Sequence, residues 1–146
     1  MDISQVIDFA NENPISYIAT SENNVPHVRG FLMWFADKTG FYFHTGTVKK
    51  IYKQLKDNPA IEICQVKFIS ETESKMLRVN GIVEFIRDET LSKRLLEERP
   101  WLSEISKARP ETGIAIFRIV KGEAHFWDMS VNLNEDKAPR VNFDFS

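Results

Sequence analysis

Apolar residues near the start of the chain recur at helical spacing. Ile3, Val6, Ile7 and Ala10 occupy positions i, i+3, i+4 and i+7, which place them on one face of a helix. Asp2 precedes them and is suited to cap the first turn. The pattern predicts a short amphipathic helix that packs its apolar face on the rest of the protein.

A second helix, ending at Asn58-Pro59, has the clearest amphipathic pattern. Thr47 is its predicted N-cap. One face is apolar, and the opposite face carries only lysines among its charged residues. The apolar positions are Val48, Ile51, Tyr52 and Leu55, and the lysines are Lys49, Lys50, Lys53 and Lys56.

Most of the remaining apolar runs predict β-strands, because they alternate with polar residues and are bounded by turn residues. One further helix, capped by Asp88, is expected to stop before Pro100. The predicted strands number six or seven: residues 15–20, 26–35, 41–44, 60–69, 76–87, 114–120 and 123–129.

Short connections between these strands predict antiparallel pairing. Residues 26–35 and 41–44 are expected to form a hairpin around Lys38-Thr39-Gly40, and Lys121-Gly122 is the predicted turn between the last two strands. Since closing a sheet removes its exposed edges, the pattern favours a mainly β (α+β) protein. We expect an antiparallel barrel of six to seven strands with flanking helices, and not an all-α or doubly wound fold.

The length and composition fit one domain. The chain has 146 residues and a formal net charge of −2, which argues against general nucleic-acid binding. We expect a domain over residues 1–129 and a polar tail over residues 130–146. No segment has the length of a membrane span and the N-terminus does not resemble a signal peptide, so a cytoplasmic protein is expected.

The start of the second helix is a candidate anion site. Lys49 and Lys50 lie in its first turn, where a cation opposes the helix dipole by roughly 0.3–1 kcal/mol. A bound phosphate would reverse that effect and accept the free amide hydrogens of the turn. The alternative is a solvated basic face continuous with the later lysines. Spacing alone does not decide between these two interpretations.

Other candidate residues have equally ordinary alternatives. Arg29 lies on the same strand face as Phe31 and could bind a ligand anion or pair with a carboxylate such as Glu62. Gly30 would allow a planar ligand to approach the backbone, or would mark a bulge. The three histidines lie on separate strands without metal-site spacing, so no metal is expected. They are His27, His44 and His125.

Several segments, taken in order, resemble the pyridoxamine 5′-phosphate oxidase-like family of split barrels that bind flavin mononucleotide (FMN). The likeness covers most of residues 1–129, and its order and spacing are more specific than any single piece. The segments that carry it are Pro26-His27-Val28-Arg29-Gly30-Phe31, Phe41-Tyr42-Phe43-His44-Thr45, Lys49-Lys50, Leu55-Lys56-Asp57-Asn58-Pro59 and Leu77-Arg78-Val79-Asn80-Gly81-Ile82-Val83-Glu84.

The resemblance implies a homodimer with FMN in grooves between the subunits. The polar tail is expected to pack on this dimer. Arg29, Lys49 and Lys50 would hold the phosphate, and His44 and Thr45 would add backbone or hydroxyl contacts. The last four expected contacts involve the isoalloxazine ring: Gly30, Phe31 and Leu32 alongside it, and Trp127 from the partner subunit.

Departures from the family pattern limit the expected activity. Met76 stands where the oxidases often place a flavin-contacting glutamine, and residues 132–146 lack the segment that holds the pyridoxal substrate. Small flavin reductase-like and nitroimidazole-resistance-like members are closer than true pyridoxamine phosphate oxidases. The resemblance therefore implies an FMN-dependent oxidoreductase of unknown small-molecule substrate, without a nameable catalytic residue. The alternative is a non-catalytic FMN-binding or redox-sensing protein.

Overall fold

A computed structural model describes residues 1–146. The chain forms four α-helices, eight β-strands and two short 3-10 turns. In chain order these are α1 (Ile3–Glu12), β1 (Ile15–Glu22), β2 (Val25–Leu32), β3 (Phe35–Asp37), β4 (Gly40–Gly46), α2 (Lys50–Asp57), β5 (Ala60–Ser70), β6 (Glu73–Ile86), α3 (Glu89–Glu98), α4 (Trp101–Ala108), β7 (Ile114–Trp127), the 3-10 turns Met129–Val131 and Glu135–Lys137, and β8 (Val141–Asp144).

The helix boundaries follow from local capping. Asp2 and Gln5 form a reciprocal capping box at the start of α1, and Asp88 accepts the Leu91 amide at the start of α3. Asn58 is the C-cap of α2, immediately before Pro59. These predicted boundaries are confirmed. None of the four helices has the length and apolar character needed to span a membrane.

All strand pairs are antiparallel, and the sheet runs in the order β2-β1-β5-β6-β7-β4-β3, with β8 added to β7. The two edge strands β2 and β3 are consecutive in the chain. At their junction the Met33 amide donates to Pro14 O (2.8 Å) and the Trp34 amide donates to Tyr42 O (2.9 Å). The junction therefore joins the two ends of the sheet, and the expected α+β split barrel with flanking helices is confirmed.

Two details of the predicted strands are wrong. Residues 26–35 were expected to be one strand paired with residues 41–44, but β2 pairs with β1, and only β3 forms the hairpin with β4. The break at Met33-Trp34 carries the chain from one sheet edge to the other. This break and the strand β8 in the tail each add a strand to the seven predicted segments, and the merger of the last two into β7 removes one, which gives eight.

The predicted turn at Lys121-Gly122 is also wrong, because β7 runs unbroken through it for 14 residues. Gly122 pairs with Gly81 of β6, and the register shifts at Ile82/Val83. A Cβ built on either glycine would lie closer than 3.0 Å to the backbone of the opposite strand. Gly81 therefore permits the close backbone approach that its mid-strand position indicated.

The tail contributes to the barrel. Phe143 of β8 is buried, with its ring centroid 5.4 Å from that of Phe41, and the Phe145 amide donates to Val120 O. Glu135 accepts from His125 (Nε2 to Oε1, 2.8 Å) and pairs with Arg78. The tail therefore packs on its own subunit through β8, and its expected packing on a second subunit stays a prediction.

Helix α1 and the inner faces of the strands enclose one main core. Three phenylalanines on adjacent strands, Phe41, Phe43 and Phe117, are fully buried there, and α1 covers one end with Val6 and Ala10. A smaller cluster of Tyr42, Leu95, Leu102 and Ile116 attaches α3 and α4 to the outside of the sheet. This attachment creates a space between the helices and the barrel.

Candidate functional site

The space between the barrel and α4 is a cavity of about 280 Å³. Its floor comes from β2, β4 and the approach to α2, and its wall comes from α4 and the residues just before and after it. Six of the nine residues predicted to bind a cofactor line it: Gly30, Phe31, Leu32, His44, Thr45 and Lys49.

The cavity is suited to an anion. Lys49 and Arg99 line it, and no aspartate or glutamate does. Thr45, only 4% exposed, also lines it, and its Oγ1 atom has no hydrogen-bond partner in the protein. Because a buried hydroxyl without a partner costs free energy, a ligand oxygen that reached this atom would be stabilised by it. The cations and the hydroxyl together could hold a phosphate or carboxylate.

The turn from β4 into α2 positions Lys49. The expected N-cap, Thr47, is wrong: Thr47 Oγ1 accepts the Gly113 amide at 2.9 Å, while Lys49 occupies the N-cap position in extended conformation. No side chain caps the first turn of α2. The Lys49 ammonium lies 6.0 Å from the centroid of the Phe31 ring, on the floor of the cavity.

The other three predicted residues lie away from the cavity lining. The Arg29 guanidinium donates to Gln54 Oε1 of α2 (2.6 Å) and to Thr20 Oγ1 (2.8 Å). It does not pair with Glu62, which bonds Arg78 instead. Lys50 is exposed on the far side of the turn, and Trp127 pairs with Met76 at the end of β7. Arg29 therefore contacts α2, which begins beside the cavity.

Similarity to known proteins identifies the family. The sequence profile described as pyridoxamine 5′-phosphate oxidase matches residues 4–127, which is most of the chain. The chain belongs to the pyridoxamine 5′-phosphate oxidase family.

One curated relative agrees with this membership. A pyridoxine/pyridoxamine 5′-phosphate oxidase of Pelagibacter ubique is 28% identical over 112 residues, covering 73% of this chain and 52% of the relative. The chain thus spans about half the length of that curated relative.

Two solved structures share the fold. One is a NimC/NimA family protein of Clostridium acetobutylicum, with TM-score 0.73, 23% identity, and coverage of 96% of this chain and 92% of the other. The other is a FAD-binding protein of Mesorhizobium loti, with TM-score 0.61, 14% identity, and coverage of 85% and 94%. At these identities the two structures support the fold of this family member and nothing further.

Arg99 and Trp101 lie in the cavity wall, and neither was identified from the sequence as a candidate site residue. Arg99 Nη1 donates to His44 Nε2 at 2.6 Å, and Nη2 donates to Met33 O at 3.1 Å. These contacts join residues 55 and 66 positions apart, so no local pattern reveals them. The available signal was an arginine and a tryptophan flanking Pro100, at a break between helices.

The electrostatic environment keeps His44 neutral. Burial, followed by the positive charges of Arg99 and Lys49, lowers the pKa of His44 to about 4. Since Nε2 accepts from Arg99, the ring proton of neutral His44 is on Nδ1. The cavity therefore presents a neutral imidazole between two cations at ordinary pH.

This depressed pKa predicts a loss of stability in acid. The unfolded chain protonates His44 below a pKa of 6.5, whereas the folded protein resists until about 4. The free energy of unfolding should therefore fall as the pH falls from 6.5 to about 4. Denaturant unfolding at several pH values should show a steeper fall in the wild type than in His44→Gln, which has no imidazole to titrate. Equal slopes, or an NMR titration of His44 near 6.5, would contradict the prediction.

Proposed function

We propose that this protein binds FMN in the cavity and acts as an FMN-dependent oxidoreductase on a small molecule. The observation that carries the proposal is a cavity with two cations, no carboxylate and an unpartnered Thr45 hydroxyl. Membership of the pyridoxamine 5′-phosphate oxidase family supports a flavin as the anion. Bound flavin would supply the redox chemistry, and the protein would supply binding, orientation and local charge.

Lys49 and Thr45 are assigned to the phosphate. Lys49 stands at the start of α2, where the peptide dipoles favour an anion and no side chain caps the first turn. Arg29 would act on the same site indirectly, because its guanidinium bonds Gln54 of α2. Lys50 would add positive charge from outside the cavity, so its predicted contact with the phosphate is replaced here by a longer-range effect.

The ring is assigned to β2. This strand pairs only with β1, so the peptide groups along its other edge are available to a ligand. A Cβ added to Gly30 would meet nothing within 4 Å, which means that there is room beside the backbone. Phe31 and Leu32 continue the same surface, and His44 lies opposite on β4.

A second copy of the chain is proposed to complete the site. At about 280 Å³ the cavity is smaller than most ligand sites, which run from roughly 300 to 1,000 Å³. Beside it, β1 and β2 expose a continuous apolar surface whose members are each more than half exposed: Ile15, Tyr17, Val28 and Leu32. Burying that surface in a homodimer would enlarge the groove, and Trp127 of this chain would then be available to the partner's flavin.

Binding and stoichiometry test this proposal. Purified protein should bind one FMN per chain, run as a dimer in light scattering, and bind FMN more tightly than riboflavin, which lacks the phosphate. Equal affinity for FMN and riboflavin would contradict the assignment of Lys49 and Thr45 to the phosphate. If the protein binds no FMN, the proposed function is wrong.

Reduction by NADH or NADPH, followed by electron transfer to a quinone or nitroaromatic acceptor, separates the enzyme from the alternative. A flavin-loaded protein that no donor reduces would be a non-catalytic flavin-binding or redox-sensing protein.

A further inference from the structure

We propose that the wall of the cavity contains a second anion subsite, formed by Arg99, His44 and Trp101, that binds a planar carboxylate carried by an aromatic or conjugated ring. The inference rests on the proposed function, because it names the substrate class for the flavin site. It concerns the α4 side of the cavity, whereas the phosphate is assigned to Lys49 at the start of α2.

Arg99 is held in place without being neutralised. Its guanidinium donates to His44 Nε2 and to the carbonyl oxygens of Leu32 (3.4 Å) and Met33 (3.1 Å). The neighbouring acid, Glu98, bonds Arg94 and Trp34 instead. The cation therefore lies in a cavity without a carboxylate partner from its own chain.

The free donors of Arg99 match a carboxylate. Nη1 makes two of the three bonds and Nη2 makes one, which leaves the Nε–H and one Nη2–H without a protein acceptor. Nε and Nη2 are adjacent on a guanidinium, and this edge is one that can bind both oxygens of a carboxylate. Because backbone carbonyl groups fix the guanidinium, little side-chain freedom is lost when the ligand binds.

His44 and Trp101 add the preference for a planar ring. With Nε2 accepting from Arg99, His44 presents Nδ1–H as a neutral donor. The Trp101 ring lies 6.1 Å from the His44 ring, is 51% exposed, and lines the cavity beside Ile105. A half-exposed indole in a cavity wall offers an aromatic face on which a ligand ring can stack.

Calorimetric titration with three small probes tests the subsite. Benzoate has the carboxylate and the ring, benzamide lacks the charge, and cyclohexanecarboxylate lacks the aromatic plane. Benzoate should bind FMN-saturated protein about tenfold or more tightly than benzamide, as expected for a charge-assisted bidentate pair. Its advantage over cyclohexanecarboxylate should be roughly threefold to tenfold.

Three variants assign these preferences to residues. Arg99→Gln should remove the preference for benzoate over benzamide, and Arg99→Lys, which keeps the charge but loses the paired donors, should remove part of it. Trp101→Leu should remove the preference for benzoate over cyclohexanecarboxylate, and its exposure makes misfolding a poor explanation. Arg109→Gln is the matched control: it deletes an arginine at the far end of α4, where Arg109 pairs with exposed Glu111, and should change nothing.

The outcomes distinguish this inference from the flavin proposal. Equal affinities for benzoate and benzamide would overturn the subsite. So would an Arg99→Gln variant that loses FMN but not riboflavin and binds benzoate as before, because Arg99 would then hold the cofactor phosphate. The same titrations without flavin separate the two ideas: Arg99-dependent benzoate binding in a protein that never binds FMN would keep the subsite and remove the flavin function.

Discussion

Lys49→Glu is expected to abolish FMN retention, whereas Lys50→Glu should leave most of it. The two neighbours have the same charge and differ in position: Lys49 lines the cavity, and Lys50 is exposed outside it. Losing one charge-assisted bond to phosphate costs about 1.5–3 kcal/mol, and the introduced carboxylate adds repulsion. The affinity should therefore fall about a hundredfold or more, measured by fluorescence titration with FMN.

Riboflavin provides the control for this pair of variants. Lys49→Glu should affect its binding far less, because it has no phosphate to lose. Thermal unfolding of both variants should remain cooperative, since neither lysine has a carboxylate partner within its own chain. If the two variants lose FMN equally, the lysines act only through the general charge of the α2 face, and the phosphate assignment is wrong.

Gly122→Ala is expected to give the largest loss of stability. A Cβ at this position would overlap the carbonyl oxygen of Asn80 and the Cα of Gly81 on the facing strand. The backbone atoms of β6 cannot move aside as a flexible side chain could. The β6–β7 pairing must therefore open locally. We expect a loss of about 3 kcal/mol or more in the free energy of unfolding, measured by denaturant titration.

Gly30→Ala is the matched control, because a methyl group there meets nothing within 4 Å. Its free energy of unfolding should stay within about 0.5 kcal/mol of the wild type. The same variant narrows the cavity, so it should weaken flavin binding while leaving the fold intact. A Gly122→Ala protein as stable as Gly30→Ala would show that the two strands can separate here without cost.

Most helices and strands of the barrel were predictable because short stretches of sequence specify each of them. Capping residues Asp2 and Asp88 and the apolar alternation of β6 each specify an element without reference to the rest of the chain. The break at Met33-Trp34 was not predictable, because both residues are apolar and continue the pattern of β2. What ends the strand is bonding to Pro14 and Tyr42 from two other parts of the chain.

Part of the cavity lining was also predictable from the sequence. Gly30, His44 and Lys49 come together because each lies at a strand or helix end that the fold brings to one place. The choice of Lys49 over Lys50 required the helix start, which lies two residues later than Thr47 would have set it. The position of Arg99 in the cavity wall was not predictable, since it depends on how α4 packs against β4.

The segment that carries Arg99 and Trp101 begins and ends at neighbouring points. Ile86 and Ile116 face each other across β6 and β7, so residues 87–113 leave the barrel and return close to the point where they left it. A segment of different length can therefore replace this one without altering the pairing register of β6 and β7. Changes in this segment would then redirect ligand choice while the proposed cofactor floor on β2 and β4 is retained.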